Sequence, residues 1–521
     1  MKSPKHTQVI TESLGGSPLS LAVQTKRLPN DLQPPRPWSE GEWRDHIEAT
    51  RGDGGWLSAI APAMSAGGAA AARLERVSRE RGVVVTTGQQ AGLFGGPLYT
   101  LAKALTALEL ADAIEKQLGV PAAPVFWAAT DDADFLEASV AHVADADGLK
   151  ELRLTHAPPS GTPMAQAPLG DISSQMEELR RASGSAAHAE YLDVALSAFG
   201  GNRSIGDAYV RMMRALLEPL GMAVVDSSHS ALRAAARPHL LEALRKAASV
   251  SEAGALASKG LRDAGFEPQV EDDRGLSLVF AIEKGVKRRL TVAEATSYRG
   301  TDELAPNVLL RPLVERALFP SVAYVAGPGE LAYFAQTSAV ARALDWKPAV
   351  GVPRWSCTIL EPFAERALQR LGLKYHEVQD LHGMERRLAQ AALPERVQRA
   401  WTGLEERLAE SLASVAAAVR AQRLMPDAVI EGLDRSLTHR LTRAHRRLLA
   451  AVKRREERIN RDLQVAHAAV FPMGKRQERV LNFIPMLARG GAPLIAEMRA
   501  AAAAHARQLL EAGRAEPVTA R

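Results

Sequence analysis

The stretch Val83–Leu105, VVVTTGQQAGLFGGPLYTLAKAL, decides the fold. Its β-branched valines and threonines favour an extended strand. A glycine-rich turn follows, and alanine- and leucine-rich sequence then favours a helix. Leu98, Leu101, Leu105 and Leu108 recur at helical spacing and predict a single apolar stripe. A second apolar run, VPAAPVFWAATDDAD (Val120–Asp134), comes after that helix. Strand, crossover helix and strand make a βαβ unit, for which a right-handed crossover is expected. The turn carries neither GxGxxG nor GxxxxGK[ST] spacing. Residue chemistry therefore allows two readings of it, a cradle for a ligand or a tight strand-to-helix connection.

The same grammar recurs further along. LGMAVVDSSHS (Leu220–Ser230) follows the helical DAYVRMMRALLEPLG, and FPSVAYVAGPGELAYF (Phe319–Phe334) again reads strand, glycine-proline loop, helix start. Open parallel sheets bind ligands beyond the carboxyl ends of their strands. The chain is thus expected to be α/β, with a parallel sheet and a site at those loops. GLSLVFAIEKGVKRRLTVAE (Gly275–Glu294) alternates as two strands around a charged turn, and predicts an inserted antiparallel element. Residues 28–41 are proline-rich and predict an extended arm, while residues 58–82 predict helix with a glycine break.

From about Glu385 the pattern becomes long and helical. Val397, Trp401, Leu404, Leu408, Leu412, Val415 and Val419 fall three or four apart, and MPD (Met425–Asp427) interrupts them. Val429, Leu433, Leu437, Leu441, Leu448, Val452, Ile459 and Leu463 continue the period to about Ala468. These predict an antiparallel coiled-coil hairpin whose second arm spans roughly 60 Å. The expected division is a core over 1–384, a hairpin over 385–470 and a segment returning to the core over 471–521.

Composition narrows the class. The 521 residues are 46% apolar and 24% charged, ordinary for a globular protein, and 65 basic against 60 acidic groups leave a charge of only +5. That balance does not point to nucleic acid. A single cysteine, Cys357, excludes an internal disulfide framework. No apolar run approaches the ~20 residues of a membrane span, so a cytoplasmic location is expected.

Four clusters carry candidate chemistry. In the opening loop, Gly88, Gly92, Gly95 and Gly96 permit close approach to a ligand, Pro97 suits a helix start, Gln89 and Gln90 offer hydrogen bonds, and Lys103 offers charge. Lys103 lies almost opposite the apolar stripe, which also suits plain solvent exposure. Asp131, Asp132 and Asp134 end the second strand after Trp127; they suit a substrate ammonium, a ribose hydroxyl or Mg²⁺, and equally a helix cap. Gly327, Gly329 and Glu330 form a second glycine loop, with Asn307 and Arg311 as an anion-recognising pair nearby. Arg354, Ser356 and Thr358 flank Cys357, which reads as an inert buried thiol. Ten arginines and lysines between Arg435 and Arg461 read as a solvated face or dimer contact, with RNA as the sharper alternative.

Taken in order, TTGQQAGLFGGPLYTLAKAL, VPAAPVFWAATDDADF, FEPQVE, APNVLLRPLVERALFPSVAYVAGPGELAYFAQ and FPMGKRQERVLNF resemble the BshC family. To that family the cysteine-ligation step of bacillithiol biosynthesis is ascribed. The resemblance implies a Rossmann-like core similar to class I aminoacyl-tRNA synthetases, with inserted connecting elements and a coiled-coil arm associated with a homodimer. It implies cysteine, glucosaminyl-malate and ATP as small-molecule substrates, and leaves any metal open. It implies a pocket that includes Gly88, Gln89, Gln90, Gly92, Gly96, Pro97, Tyr99, Lys103, Trp127, Asp132, Asp134, Gly327, Gly329, Glu330 and Arg354. Where the family reads like EDHDF this chain has DDADF, so Ala133 takes the histidine's place. The competing expectation is a synthetase-like nucleotide- or RNA-binding protein without ligase activity.

Overall fold

The computed structural model describes residues 6–52, 54–64, 66–271 and 275–511. The chain divides into two compact units. One holds residues 144–149 and 360–476; the other holds residues 7–143, 150–359 and the segment from Gln477 onward.

The larger unit is built on a five-stranded parallel sheet. Its elements are β1 (Val83–Gln90), α1 (Leu98–Ala113), β2 (Ala122–Ala129), α2 (Ile205–Leu217) and β3 (Ala223–Asp226). An inserted antiparallel sheet follows, of β4 (Leu276–Glu283), β5 (Val286–Thr291) and β6 (Glu303–Pro306). Then come α3 (Arg311–Leu318), β7 (Ser321–Ala326), α4 (Pro328–Leu344) and β8 (Gly351–Pro353). The main sheet runs β8-β7-β1-β2-β3. Chain order therefore reverses between β1 and β7, which is the switch point where a doubly wound sheet opens a crevice. The strands, the inserted hairpin and the glycine break between the Trp56–Met64 and Gly68–Arg79 helices fall where the sequence pattern places them.

Both faces of the sheet are covered, so its strands carry apolar residues on both sides. Val84, Val125, Trp127 and Val225 pack with Ile60, Leu74 and Leu240 on one face. On the other, Phe126 meets Tyr209 of α2. Helix α1 departs from the expected single stripe: Ala102, Lys103, Ala104, Thr106 and Ala107 are buried along with its leucines. The reason is a second cover, the helix α8 (Ile484–Glu511), which packs along α1 and pairs Arg499 with Glu109 at 2.6 Å. Small residues on that side of α1 let the two helices approach.

In the other unit, α5 (Glu395–Gln422) and α6 (Asp427–Arg455) form the hairpin, with Arg420 paired to Asp427 across the turn and Trp401 stacked on His445. The second arm is shorter than expected. Glu456 leaves the helical conformation (φ −92°, ψ 54°), and α7 (Glu457–Val470) starts afresh. At 29 residues α6 is about 44 Å long rather than 60 Å. Lys453, Arg454 and Arg455 favour a helix end and Glu457 favours a helix start, so the charges specify a break that apolar spacing does not reveal.

One glycine tests the packing directly. Gly95 has φ +89°, and a Cβ there would lie 2.4 Å from Met212 Cε and 2.8 Å from Phe483 Cζ. Gly95→Ala is expected to cost about 3 kcal/mol or more, read as a lowered urea midpoint.

Candidate active site

A cleft of about 830 Å³ opens at the carboxyl ends of β1, β2 and β7, beside the inserted sheet. It gathers Gly88, Gln89, Gln90, Tyr99, Lys103, Trp127, Asp131, Asp132, Asn307, Arg311, Gly327, Gly329, Glu330 and Arg354. Loops distant in sequence meet there because the strands that carry them are neighbours. Gly88 is needed where β1 approaches β2, since a Cβ would lie 2.7 Å from the Trp127 carbonyl.

Six candidate residues lie outside it. Gly92, Gly95, Gly96 and Pro97 turn the chain beneath the cleft, and their polar groups are used internally. The Gly95 and Gly96 amides donate to Gly92 and Leu93 carbonyls, while Asn482 Nδ2 donates to the carbonyls of Phe94 (2.8 Å) and Gly96 (3.0 Å). That part of the opening stretch turns the chain; Gly88–Gln90, Tyr99 and Lys103 are the parts that line the cleft. Asp134 caps the short helix Phe135–Ala138, accepting from the Glu137 amide, as the cap reading of the aspartates has it. Ser356 is buried and donates to Glu478 at 2.9 Å.

Lys103 is not on the surface. It is 1% exposed, and its Nζ donates to the Gly88 carbonyl and to both Glu330 oxygens at 2.7 and 2.9 Å. Glu330 also accepts from Tyr324 Oη (2.6 Å) and from the Gly327 amide (2.7 Å), so it caps α4 and pairs with Lys103 at once. Burial draws the Lys103 ammonium below its ordinary value against the pull of Glu330. Burial alone would lift Glu330, but the Lys103 charge and the three donors outweigh it and hold the carboxyl below its ordinary range.

The two arginines expected to grip an anion are already matched. Arg354 forms a two-pronged pair with Glu478 at 2.6 and 2.7 Å, both side chains 2% exposed. Arg311 donates to the buried Glu315 at 2.9 Å and lies over the Tyr324 ring. Asn307 spends its oxygen on the Leu309 and Leu310 amides. Glu478 was not legible as a partner, because a glutamate within GKRQER reads as surface.

The acidic lip holds residues the sequence did not single out. Lys287 from β5 reaches Asp131 at 3.1 Å, and burial there is outweighed by Lys287 and the Ser227 hydroxyl, which hold Asp131 low. Asp132 and Glu137 are raised, chiefly by burial. Arg479 is exposed at the cleft and makes no ion pair among the described residues. Among the described residues no histidine lines the cleft; Ala133 is there instead. The groups within it that accept protons are carboxylates. Among the described residues, no cluster of histidine, cysteine and carboxylate side chains has a metal-binding arrangement.

A reversed parallel sheet with its cleft at the reversal, in a chain that also carries a helical hairpin, defines a Rossmann-like protein with an appended coiled coil. The chain belongs to the BshC family of bacillithiol biosynthesis. The family's N-terminal Rossmann-like domain matches residues 55–303 and 297–355, and its C-terminal coiled-coil domain matches residues 357–509. Relatives named "Putative cysteine ligase BshC" include one from Solibacter usitatus, 30% identical, with 82% of this chain and 83% of that protein aligned. One from Heliobacterium modesticaldum is 31% identical over 82% of each chain, and one from Geobacillus kaustophilus is 28% identical over 85% and 87%.

Breaking the Lys103–Glu330 pair tests its weight. Glu330→Gln is expected to cost about 3–5 kcal/mol in urea unfolding, with the double variant K103M/E330Q regaining part of it. The depressed Glu330 carboxyl contributes stability that is present above the unfolded value of about 4.3 and lost as pH falls through the lower folded value. In E330Q that part of the acid dependence should disappear.

Proposed function

We propose that this chain is a cytoplasmic ATP-dependent ligase that joins cysteine to glucosaminyl-malate, forming bacillithiol. The relatives' printed name supports cysteine ligation. The observation that carries the reading is the cleft at the strand-order reversal, whose lining holds the raised carboxyls of Asp132 and Glu137 together with Arg479, whose charge acts on Glu137. Amide formation needs a group to take the proton that the attacking amine releases, and an electropositive group to hold a carboxylate or phosphate.

Asp132 is the proton acceptor in this reading. Burial raises its value towards the working range, and Ala133 leaves no imidazole beside it to compete. The Asp131–Lys287 pair fixes the strand end that carries it. Arg479 holds the anionic group, since Arg311 and Arg354 are neutralised by Glu315 and Glu478. ATP would supply activation of the carboxylate. The cleft suits such an anionic co-substrate: Trp127 Nε1 and Arg354 Nε, on residues lining it, are buried donors without an acceptor. Gly88–Gln90, fixed from beneath by Lys103, shapes the floor.

A second copy of the chain is proposed to cover the hairpin. Val397, Leu404 and Val415 are 37–46% exposed on α5, and Val429 and Leu433 are exposed on α6. Among the described residues no helix is long and apolar enough to cross a membrane.

Purified protein given ATP, cysteine and glucosaminyl-malate should form bacillithiol, detected by mass, and omission of any one should abolish it. Absence of product from folded protein would overturn the reading. Asp132→Asn should lower kcat at least 100-fold. Because its carboxyl is raised, the acid limb of the rate profile should lie above the ordinary aspartate range. Arg479→Gln should raise KM about tenfold with a smaller effect on kcat. Sedimentation should show a dimer, and L404E/V415E a monomer with an intact catalytic unit.

A further inference from the structure

The larger unit carries a second cavity, of about 340 Å³, at the opposite edge of the main sheet. It lies by Val350, which precedes β8, and by His46, whose Nε2 donates to the Val322 carbonyl near the start of β7 at 2.9 Å. The catalytic cleft opens beyond the other end of β7, where Ala326 lies about 13 Å along the strand from Val322. The two are separate places in the molecule.

Basic groups converge on it. Lys26, Arg36, His46, Arg316 and Lys347 line the cavity, and among the described residues Glu42 is the one acid there. No ion pair joins Lys26, Arg36, Arg316 or Lys347 to a carboxylate among the described residues. Arg36 donates through Nη1 to the carbonyls of Pro37 (3.1 Å) and Leu509 (3.3 Å), and its Nε is buried with no acceptor. Arg316 donates to the Phe319 carbonyl at 3.4 Å, and Lys347 to the Ala49 carbonyl at 2.6 Å. Glu42 spends an oxygen on the Trp38 amide at 2.6 Å.

In the catalytic cleft Lys103, Arg311 and Arg354 are matched by carboxylates. Here several are gathered with carbonyls and the Trp38 ring, over which Arg36 lies at 4.0 Å, and with no carboxylate partner among the described residues. Carbonyl oxygens satisfy N–H groups but carry no net charge, so the cations repel one another. Burial weighs on the arginines, and burial with neighbouring charge on His46. Burial holds the Arg36 guanidinium down to about 10 and lowers Arg316 as well. Burial, then the charges of Arg316 and Lys347, hold His46 below its ordinary value despite its hydrogen bond to Val322.

We infer that this cavity is a binding site for a small phosphate-bearing anion, distinct from the catalytic cleft. A multiply charged phosphate would relieve the repulsion and give the Arg36 Nε an acceptor, and guanidinium groups match phosphate oxygens in pairs. The volume is at the low end of the roughly 300–1,000 Å³ typical of small-molecule sites. Its wall is formed by Pro34, Pro35, Pro37 and Pro348, which fix the backbone without offering N–H donors. Recognition therefore falls to the basic side chains.

The test uses the full chain with inorganic phosphate, inorganic pyrophosphate and glucose 6-phosphate, each titrated by calorimetry. Pyrophosphate binding alone would assign an inorganic source, and glucose 6-phosphate binding a sugar phosphate. Arg316→Gln and Lys347→Gln should each weaken the anion that binds by about tenfold. Arg479→Gln, in the catalytic cleft, should leave its affinity unchanged. The bound anion should also raise the melting temperature of the native chain but not of R316Q/K347Q. Lys347 is exposed, so K347Q reads the site even if R316Q fails to fold. Absence of binding by all three anions would overturn the inference. So would binding that survives K347Q unchanged, or binding that R479Q abolishes.

Discussion

The pair of buried Lys103 and half-buried Glu330 is the constraint on which the cleft depends. One ammonium ties the last turn of β1, through the Gly88 carbonyl, to the first turn of α4, through Glu330. These are the two chain segments on either side of the strand-order reversal. Sheet hydrogen bonds hold β1 and β7 together along their length, but strand ends splay unless something crosses the gap. A charge pair this deep is costly to desolvate, and its value depends on every lone pair and proton being used. Here Tyr324 and the Gly327 amide take up what Lys103 leaves. The result is a cleft whose floor is fixed before any ligand arrives, which lowers the cost of ordering it on binding.

A similar logic governs the arginines. Arg354 and Arg311 are held and neutralised by carboxylates on the protein itself, so they give the walls shape without being free to follow a ligand. Freedom belongs to Arg479, one residue beyond the Glu478 that locks Arg354. Rigid and mobile charge thus come from adjacent positions of one segment.

The architecture was legible because strand and helix leave local marks. Val83–Gln90, Ala122–Ala129 and Ser321–Ala326 are apolar runs with β-branched residues, and each ends at glycine or acid. The site was legible only as a set of loops. Which loop residues face the cleft depends on partners far away: Lys103 meets Glu330 across 227 positions, and Asn482 meets Phe94 across 388. A helical wheel puts Lys103 opposite the leucines and hence outside, but a wheel knows nothing of Glu330 on α4 or the Gly88 carbonyl on β1. The glycines pointed to a ligand because glycine permits close approach, without saying whether a ligand or Phe483 does the approaching. Lys287 and Glu478 carried no local signal, being charged residues among other charged residues.

The segment Gln477–Asn482 has a consequence for how the molecule comes into being. It locks Arg354, brackets Ile359 through Gln477 and fastens the glycine turn through Asn482, yet it follows the entire helical hairpin in the chain. During synthesis the parallel strands emerge and pair long before their fastening exists. Closing so long a loop adds little entropy beyond that of a moderate one, but it places these contacts among the slowest to form. The nascent sheet therefore waits with its cleft unfinished until the ribosome has passed the hairpin, and competence for ligand arrives only once Gln477–Asn482 has emerged.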